Sequence, residues 1–210
     1  LAKIQHQTLQ DLPQKQHIID VMKKVMNFQL NANDDTNRTD WKTAAFYAGV
    51  MAAYKATGER VFYDAASQWG QKAEWKLRAN AYLADDLCAA QTFLDLYIID
   101  KKPEMSEDVK SKLAKYFGKN TITYDELIHI ANTQNVRPFD GRNVWWWCDA
   151  LFMAPPVFTR MYTITQNERY LAQLDSLYWD SAEFLYDRNE KLFFRDERYF
   201  TKTTPAGSKV

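Results

Sequence analysis

Three consecutive tryptophans lead into a single carboxylate in the run Trp-Trp-Trp-Cys-Asp at residues 145–149. Indole surroundings withhold water from a charged group, so we expect the ionised form of Asp149 to be disfavoured and its pKa to be raised. A carboxyl group that stays protonated near neutral pH can act as a general acid. Flat aromatic rings beside a carboxylate are also a common way to hold a sugar ring. Asp149 is therefore the first candidate for a catalytic residue.

The structural alternative for Asp149 is a helix N-cap or a salt-bridged residue at the start of a helix. The tryptophan run favours a functional role over this alternative. The position of Asp149 favours it too, because a loop over 132–142 that contains Gly, Pro and Asn meets a helical pattern here. Site residues are often found where a loop is held by a rigid scaffold.

A pair of adjacent acids, Asp85 and Asp86, heads a second apolar helical pattern, which contains Gln91. An acid in the first turn of a helix is stabilised by the helix dipole, and this explains one of the two carboxylates. Taken alone, capping is the better interpretation of the pair. The second carboxylate stays open as a candidate for a role in a site.

A third group of charged residues, Arg-Asp-Glu-Arg at 195–198, lies within an aromatic stretch. Two arginines three residues apart with acids between them usually form a solvated surface. In an aromatic strand, however, Arg195 or Arg198 could bring a guanidinium group to a carboxylate ligand.

Composition and motif content exclude several classes of function. The chain of 210 residues has 27 Lys and Arg against 27 Asp and Glu, so it lacks the basic excess of a nucleic-acid-binding protein. No apolar run approaches the roughly 20 residues that cross a bilayer, and no membrane span is expected. His17 and His129 lack metal-ligand spacing, and no phosphate-binding glycine loop occurs, so neither metal nor cofactor is expected.

The remaining composition leaves redox state and compartment partly open. Cys88 and Cys148 have no adjacent basic residue and are expected to be buried free thiols. The first residues lack the basic and then apolar pattern of a signal peptide. An exported periplasmic protein whose signal was removed and a cytoplasmic bacterial protein would look the same.

Helical patterns must position these candidates, and most of them pair into hairpins. An apolar period near 3.6 predicts a helix over 16–30 and then hairpins of 41–57 with 60–75, 85–99 with 106–117, and 147–163 with 168–185. Asp40 and Gly58 fit the start and stop of the first hairpin helix, and Ser106 is expected to be an N-cap. The Pro-Pro pair at 155–156 should kink or restart its helix.

The hairpins are weakly repetitive, because the link at 57–63 resembles that at 166–171. Repeated helix hairpins stack either as an open solenoid or as a closed toroid. The pattern changes after residue 185, where the aromatic stretch 192–200 predicts a short strand or extended segment. The fold class is therefore predicted to be all-α, with one short aromatic strand.

Four motifs in this order resemble the unsaturated rhamnogalacturonyl hydrolases of glycoside hydrolase family 105. Trp-Trp-Trp-Cys-Asp-Ala-Leu-Phe-Met-Ala-Pro-Pro at 145–156 resembles their signature helix. Ala-Asp-Asp at 84–86 with Gln-Thr at 91–92 resembles a second segment, although Ala90 stands where the family has Gly. Leu-Phe-Phe-Arg-Asp-Glu-Arg-Tyr at 192–199 resembles their strand, and Tyr47 fits their early hairpin. The resemblance covers the chain from about residue 40 to residue 200.

This resemblance implies a toroid of six helix hairpins, the (α/α)6 barrel, with an active-site cleft at one end. The sequence holds about three of the hairpins, so we expect residues 1–210 to be a single partial barrel domain, the N-terminal half or so, truncated at its C-terminus. A partial barrel would leave apolar hairpin faces uncovered. Self-association into a homo-oligomer is an expected consequence.

The resemblance also implies an unusual hydrolysis that uses no cofactor. Such enzymes act on pectin-type oligosaccharides whose non-reducing end is a 4,5-unsaturated uronic acid, the product of a polysaccharide lyase. An acid protonates C4, water adds at C5, and the resulting hemiketal collapses and releases the next sugar. Asp149 matches the position of this acid. Asp86, or otherwise Asp85, would orient ligand hydroxyl groups or tune Asp149.

The resemblance gives several aromatic and basic residues a place in substrate binding. One or two of the three tryptophans would form the wall that faces the sugar, and an arginine would meet the uronate carboxylate. The implied substrate-binding set is Asp85, Trp145, Trp146, Trp147, Arg195, Arg198, Trp41 and Tyr47.

Two other functions remain open at this stage. A helical toroid or solenoid could bind carbohydrate without turning it over, or the chain could be an inactive fragment. A conventional glycosidase would place two carboxylates about the anomeric carbon and act on saturated glycosides. The motifs favour the hydration chemistry over this last alternative.

Overall fold

The computed structural model describes residues 13–32, 38–117 and 145–203. The predicted loop over 132–142, His129, and the two ends of the chain lie outside the described residues. In chain order the elements are α1 (Lys15–Ala32), α2 (Trp41–Thr57), α3 (Arg60–Lys72), α4 (Ala84–Leu87), α5 (Ala89–Asp100), α6 (Glu104–Leu113), a 3-10 turn (Ala114–Phe117), α7 (Ala150–Met153), α8 (Pro155–Thr165), α9 (Arg169–Leu185), β1 (Tyr186–Asp187), β2 (Leu192–Phe193) and a 3-10 turn (Glu197–Tyr199).

Tight links fold the helices into three hairpins, α2 with α3, α5 with α6, and α8 with α9. The first link turns at Gly58, whose φ of 74° is left-handed and whose N–H donates to Tyr54. Lys101 and Gln166 end α5 and α8 in the same left-handed conformation, with φ of 59° and 56°. Each link therefore closes its helix by the same C-cap geometry, although only one of them uses glycine.

The hairpins pack into two rows of helices. Helix α5 contacts both α2 and α8, and these three helices form what we call the inner row. Helices α3, α6 and α9 pack against their own hairpin partners and form the outer row. Large side chains fill the space between the rows, including Trp69, Phe62, Phe93, Phe158 and Met51. The all-α helix-hairpin fold expected from the sequence is confirmed.

Two inner-row helices begin with a short helix that is offset from the main one. Helix α4 is followed at once by α5 after Cys88, and α7 is followed by α8 after Ala154. The second break is the restart predicted for the Pro-Pro pair, since Pro155 is the first residue of α8. Proline has no N–H to continue the ladder of α7, but its fixed φ suits the first turn of a new helix.

Three element boundaries differ from the sequence prediction. Helix α6 begins at Glu104 after Pro103, so Ser106 is not an N-cap but a buried residue inside the first turn. Helix α3 ends at Lys72, because the chain turns back and places the Trp75 ring against Gly70, where a Cβ would lie 2.0 Å from the ring. The aromatic strand is shorter than predicted, since Leu192–Phe193 pairs with Tyr186–Asp187 and Asp196 then forms an isolated bridge with Trp147.

The surface of the described part carries several large apolar side chains. They lie on α1, where Val25 is 60% and Phe28 73% exposed, and near the β-hairpin, where Trp179 is 57% and Leu192 67% exposed. Self-association of such faces stays a prediction. Among the described residues, no helix combines the length and the apolar character that crossing a bilayer requires.

Candidate active site

The starts of the three inner-row helices bring the candidate residues to one end of the molecule. Each inner-row helix ends at a tight link, and α5 contacts both of the other two. Helix α4 packs against α7, which places the Asp85–Asp86 pair next to the segment that begins at Asp149. Trp41 is the first residue of α2. The structure therefore gathers residues that are far apart in the sequence.

Asp149 lies immediately before α7 and is half-buried. Its backbone carbonyl accepts hydrogen bonds from the N–H groups of Phe152 (2.9 Å) and Met153 (3.1 Å). Its side chain does not cap the helix. No described residue forms a hydrogen bond or ion pair with this carboxylate. The N-cap interpretation of the carboxylate is thus not supported, and the carboxylate has no hydrogen-bond or ion-pair partner among the described residues.

Asp86 differs from Asp149 because its carboxylate is 7% exposed and already has partners. Its Oδ2 accepts a hydrogen bond from the Asn80 N–H at 3.1 Å, and its Oδ1 lies 3.4 Å from Arg78 Nε. Burial raises the pKa of Asp86, and the Asn80 N–H and the nearby Arg78 and Lys112 charges oppose this rise. Its neighbour Asp85 is half-buried, and the charge of Asp85 helps to raise the pKa of Cys88.

An open cleft of about 660 Å³ lies at the start of α2 and is also lined by Arg78, from the loop before α4. Trp41, which is 43% exposed, is the aromatic side chain in its lining. Arg78 also lines the cleft, and its ion pair with Asp86 connects the cleft to α4. The complete lining is Arg38, Thr39, Asp40, Trp41, Lys42 and Arg78. Three cationic side chains and one indole suit an anionic sugar.

The three tryptophans before Asp149 face different surroundings. Trp145 is 0% exposed and packs edge-on against Phe158, so the predicted contact of Trp145 with sugar is wrong. The apolar core takes this ring, and a left-handed φ of 63° at Trp145 redirects the chain. Trp146 is half-buried, and its Nε1 donates to Asp180 at 3.0 Å. Two of the three indoles thus serve packing, and Asp149 is not enclosed by all three.

Tyr47 also belongs to the core rather than to a sugar-binding surface. It is 3% exposed, and its ring stacks on Trp69 at 4.2 Å with an interplanar angle of 4°. Burial accordingly raises the pKa of Tyr47. The prediction that Tyr47 binds substrate is therefore wrong for the described structure, because a ring inside the core cannot stack on a sugar.

Residues 194–200, which we call the Arg strap, run beside Trp147. Cys148 N–H donates to the Arg195 carbonyl at 2.9 Å. The guanidinium groups of Arg195 and Arg198 lie 4.4 Å and 4.9 Å from the Trp147 ring centre. Trp147 is half-buried, so its indole and the two arginines form one exposed surface next to Asp149.

Asp196 holds the Arg strap in shape. Its side chain is 1% exposed and accepts from Arg198 Nε at 2.7 Å and Nη2 at 2.9 Å, and from Arg195 Nη1 at 3.1 Å. The hydrogen bonds from Arg198 lower the pKa of Asp196. Arg195 and Arg198 therefore pair with a carboxylate of this chain, and Arg195, which gives Asp196 one contact, has more donors left for a ligand.

The two cysteines are both free thiols but differ in burial. Cys88 is a buried free thiol, as predicted, and burial raises its pKa to about 12. Cys148 is free but only half-buried, so that prediction holds in part. Within the described ranges, no group of three or more His, Cys, Asp and Glu side chains is placed to hold a metal ion.

Sequence reasoning missed three contributors to this end of the molecule. Arg78 and Lys42 carried no motif, and only the fold of the loop before α4 against the start of α2 places them in one cleft. In the sequence, Asp196 is recognisable only as an acid between two arginines. Its position within a fork of two arginines could have been suspected from that alternation, but its burial could not.

The sequence matches one family model and two curated proteins. The model of Glycosyl Hydrolase Family 88 matches residues 15–210. An unsaturated 3S-rhamnoglycuronyl hydrolase of Formosa agariphila is 30% identical over 172 residues, which are 81% of this chain and 44% of that protein. A protein of the same name from Alteromonas sp. is 28% identical over 196 residues, covering 83% of this chain and 43% of that protein. The chain spans less than half the length of these curated relatives.

The fold is shared with a solved structure as well. A family 88 glycosyl hydrolase from Bacteroides vulgatus superposes with a TM-score of 0.71 at 22% identity, over 92% of this chain and 55% of that one. The resemblance to unsaturated glycuronyl hydrolases, first seen in the motifs, is confirmed at the level of the family. On its sequence match over residues 15–210, this chain belongs to Glycosyl Hydrolase Family 88.

Proposed function

We propose that this chain carries the proton-transfer site of a hydrolase that removes a 4,5-unsaturated uronic acid from the non-reducing end of an oligosaccharide. The names of the two curated relatives support an unsaturated uronide joined to a rhamnose-type sugar. Membership of family 88 supports glycoside hydrolysis. No metal or organic cofactor is needed for the proposed chemistry.

The proposed reaction begins with Asp149 in its protonated form. Its carboxyl proton goes to C4 as the C4–C5 double bond opens, and the positive charge that develops is shared by C5 and the ring oxygen. The carboxylate then takes a proton from the water that adds to C5, so Asp149 is regenerated. The C5 hemiketal opens its ring, and the freed hemiacetal at C1 releases the next sugar. One water is consumed overall.

The observation that carries this proposal is the state of the Asp149 carboxylate. It is half-buried next to the exposed surface of Trp147 and the Arg strap. No described residue forms a hydrogen bond or an ion pair with it. A general acid must reach the substrate within hydrogen-bond distance, and an acid already held by protein donors would have to give up those bonds. Among the candidate acids, Asp149 alone meets the second condition within the described residues, because Asp85 and Asp86 have partners.

The surroundings of Asp149 support an anionic sugar as the ligand. Arg195 and Arg198 lie on one side, over Trp147. The cleft with Arg38, Lys42 and Arg78 lies at the start of α2, and Arg78 pairs with Asp86. Guanidinium groups bind carboxylates with charge-assisted hydrogen bonds. We assign Asp86 the role of orienting hydroxyl groups, since its charge is already balanced by Arg78.

The experiment follows the conjugated double bond directly. The longest natural protein that contains this chain is incubated with unsaturated disaccharides that differ in uronic acid and in the following sugar. Loss of ultraviolet absorbance reports loss of the double bond, and mass spectrometry reports the freed sugar. We expect turnover of at least one unsaturated disaccharide and none of its saturated counterpart. Persistent absorbance across the panel with enzyme in excess would overturn the proposal.

Two variants assign the activity to the site. Asp149→Asn keeps the size of the side chain and should lower the rate constant by about 10² to 10⁴, the usual contribution of a general acid or base. Asp64→Asn is the matched control, because Asp64 lies on the outer row in an exposed pair with Arg60. Retained activity in Asp149→Asn would remove this residue from its role. Binding of the disaccharide without turnover by the wild-type protein would favour a carbohydrate-binding module.

A further inference from the structure

The break between α7 and α8 leaves backbone carbonyls without their helical partners. A carbonyl in a helix normally accepts from the N–H four residues later. The corresponding donor for the Phe152 carbonyl would be Pro156, which has no N–H. The Met153 carbonyl also lacks its usual partner, since the Val157 N–H donates instead to Ala154 at 2.9 Å. An unsatisfied buried carbonyl destabilises the fold, so these groups need other donors.

Gln91 of α5 supplies those donors. Its side-chain Nε2 lies 2.9 Å from the Phe152 carbonyl oxygen and 2.9 Å from that of Met153. The residue is 4% exposed, so water does not compete for these bonds. The two N–H groups of one amide thus satisfy the two carbonyls that end α7.

A second contact fixes the other side of the break to the same helix. Asp95 lies one turn beyond Gln91, is 6% exposed, and pairs with Arg160 at 2.6 Å and 3.0 Å. Arg160 also donates to the Pro156 carbonyl at 2.9 Å. Helix α5 therefore holds the chain both before and after the proline pair. The motif that carries Asp86 and the motif that carries Asp149 meet at this break.

The contacts connect Gln91 to Asp149 through two residues. Phe152 and Met153 offer their carbonyls to Gln91, and their N–H groups donate to the Asp149 carbonyl. Helix α7 has four residues, too few to hold a direction without tertiary support. We propose that Gln91 is a positioning residue that sets the direction of α7 and thereby the place of the Asp149 carboxylate. The functional part of this inference rests on the proposed hydrolysis.

The test replaces the amide by an apolar side chain of similar length. Gln91→Met removes both donors, so α7 should tilt or fluctuate and Asp149 should lose alignment with C4. Misplacement by about 1 Å can cost on the order of a hundredfold in rate. We expect kcat on an unsaturated disaccharide to fall by about 10-fold to 100-fold, with KM changed by less than about threefold.

A matched control separates positioning from the general loss of a buried amide. Gln173 is another buried glutamine, 0% exposed, and lies near the start of α9. Gln173→Met should destabilise the protein without a selective fall in kcat. Gln91→Asn, which is too short to bridge two carbonyls, should repeat the effect of Gln91→Met if that variant does not fold. Equal values of kcat for Gln91→Met and Gln173→Met would overturn the proposal.

Native-state hydrogen exchange tests the contact independently of activity. In Gln91→Met, the Phe152 and Met153 amides should exchange at least about fivefold faster, while the amides within α9 keep their protection. If the wild-type protein turns over no unsaturated uronide but this change in exchange is seen, the hydrolysis fails and the contact stands. Unchanged exchange at both amides would contradict the positioning role.

Discussion

Helices α4 and α7 are alike in form but treat their acids in opposite ways. Each has four residues, and a break of one residue separates each from the main inner-row helix that follows it. Asp86 of α4 is buried and accepts from the Asn80 N–H, with Arg78 beside it. Asp149, just before α7, is half-buried and receives no hydrogen bond from the described residues.

This difference separates two tasks that acids perform in a sugar-processing site. A carboxylate with its own donors is fixed in direction, so it can orient a ligand hydroxyl group reproducibly. Moving its proton would disturb bonds that are worth about 1.5–3 kcal/mol each when one partner is charged. A carboxylate without such bonds can gain and lose a proton at lower cost. The comparison therefore supports the proposed roles, proton transfer for Asp149 and orientation for Asp86.

The largest expected effect concerns the approach to α7 and separates packing from ligand contact. Trp145→Ala should destabilise the protein by about 3–5 kcal/mol, because the ring is fully buried against Phe158. Trp147→Ala should cost roughly 1 kcal/mol, since its indole is half-buried beneath two arginines. Denaturant unfolding measures both values. Equal losses would mean that Trp147 is also a packing residue.

A smaller effect is expected from the Arg strap beside Asp149. Asp196→Asn should lower the free energy of unfolding by about 1–3 kcal/mol near neutral pH. Because Arg198 lowers the folded-state pKa of Asp196, the wild-type advantage is present above the ordinary carboxyl pKa and lost as pH falls through the lowered value. Unfolding measured from neutral to acidic pH should therefore show the two proteins converging. A difference that persists in acid would contradict the role of the charge.

Asp86→Asn should show the opposite dependence on pH. Burial raises the folded-state pKa of Asp86, so wild-type stability should fall as pH rises from the ordinary carboxyl pKa through the raised value. The variant should lack this component, and its stability near neutral pH should differ by roughly 1 kcal/mol or less. Thermal unfolding across that range, with Asp64→Asn in parallel, measures the slopes. Identical slopes for wild type and Asp86→Asn would contradict the burial of its charge.

The smallest effect is expected from Arg78, which is exposed and pairs with Asp86 from the cleft. Arg78→Met should change stability by about 0.5 kcal/mol or less, as is usual for an exposed partner of an ion pair. It should nonetheless raise the pKa of Asp86 further, because the guanidinium charge opposes the effect of burial. Titration of the Asp86 carboxyl by NMR in both proteins checks this direction. A titration midpoint of Asp86 that is lower in the variant would contradict the expected effect of the Arg78 charge on the pKa of Asp86.

Much of the helical frame could be predicted because its signals are local. Asp40 caps α2 through the Lys42 and Thr43 N–H groups, and the Pro-Pro pair restarts a helix, as the residue types indicate. The site was harder to predict because tertiary contacts decide which side of a ring meets solvent. Trp145 and Trp147 are adjacent to Trp146 on either side, yet one lies in the core and one under the Arg strap.

The same limit applies to the polar residues. Gln91 could be placed on an apolar helix from sequence, but its two acceptors lie about sixty positions away, at residues 152 and 153. Arg160 and Asp95 form a buried pair that no local pattern announces. Side chains that join separate motifs are fixed by packing between helices, which spacing along one helix does not encode.

The most direct test of the central claim compares Asp149→Asn with Asp86→Asn in a single-turnover experiment. Each variant is mixed separately with the same unsaturated disaccharide, with the protein in excess over the disaccharide. Loss of the double bond is followed by ultraviolet absorbance. We expect the single-turnover rate constant to be lowered by about a hundredfold or more in Asp149→Asn. In Asp86→Asn, measured at saturation, it should be lowered by less than about tenfold. The reverse ranking would contradict the assignment of proton transfer to Asp149.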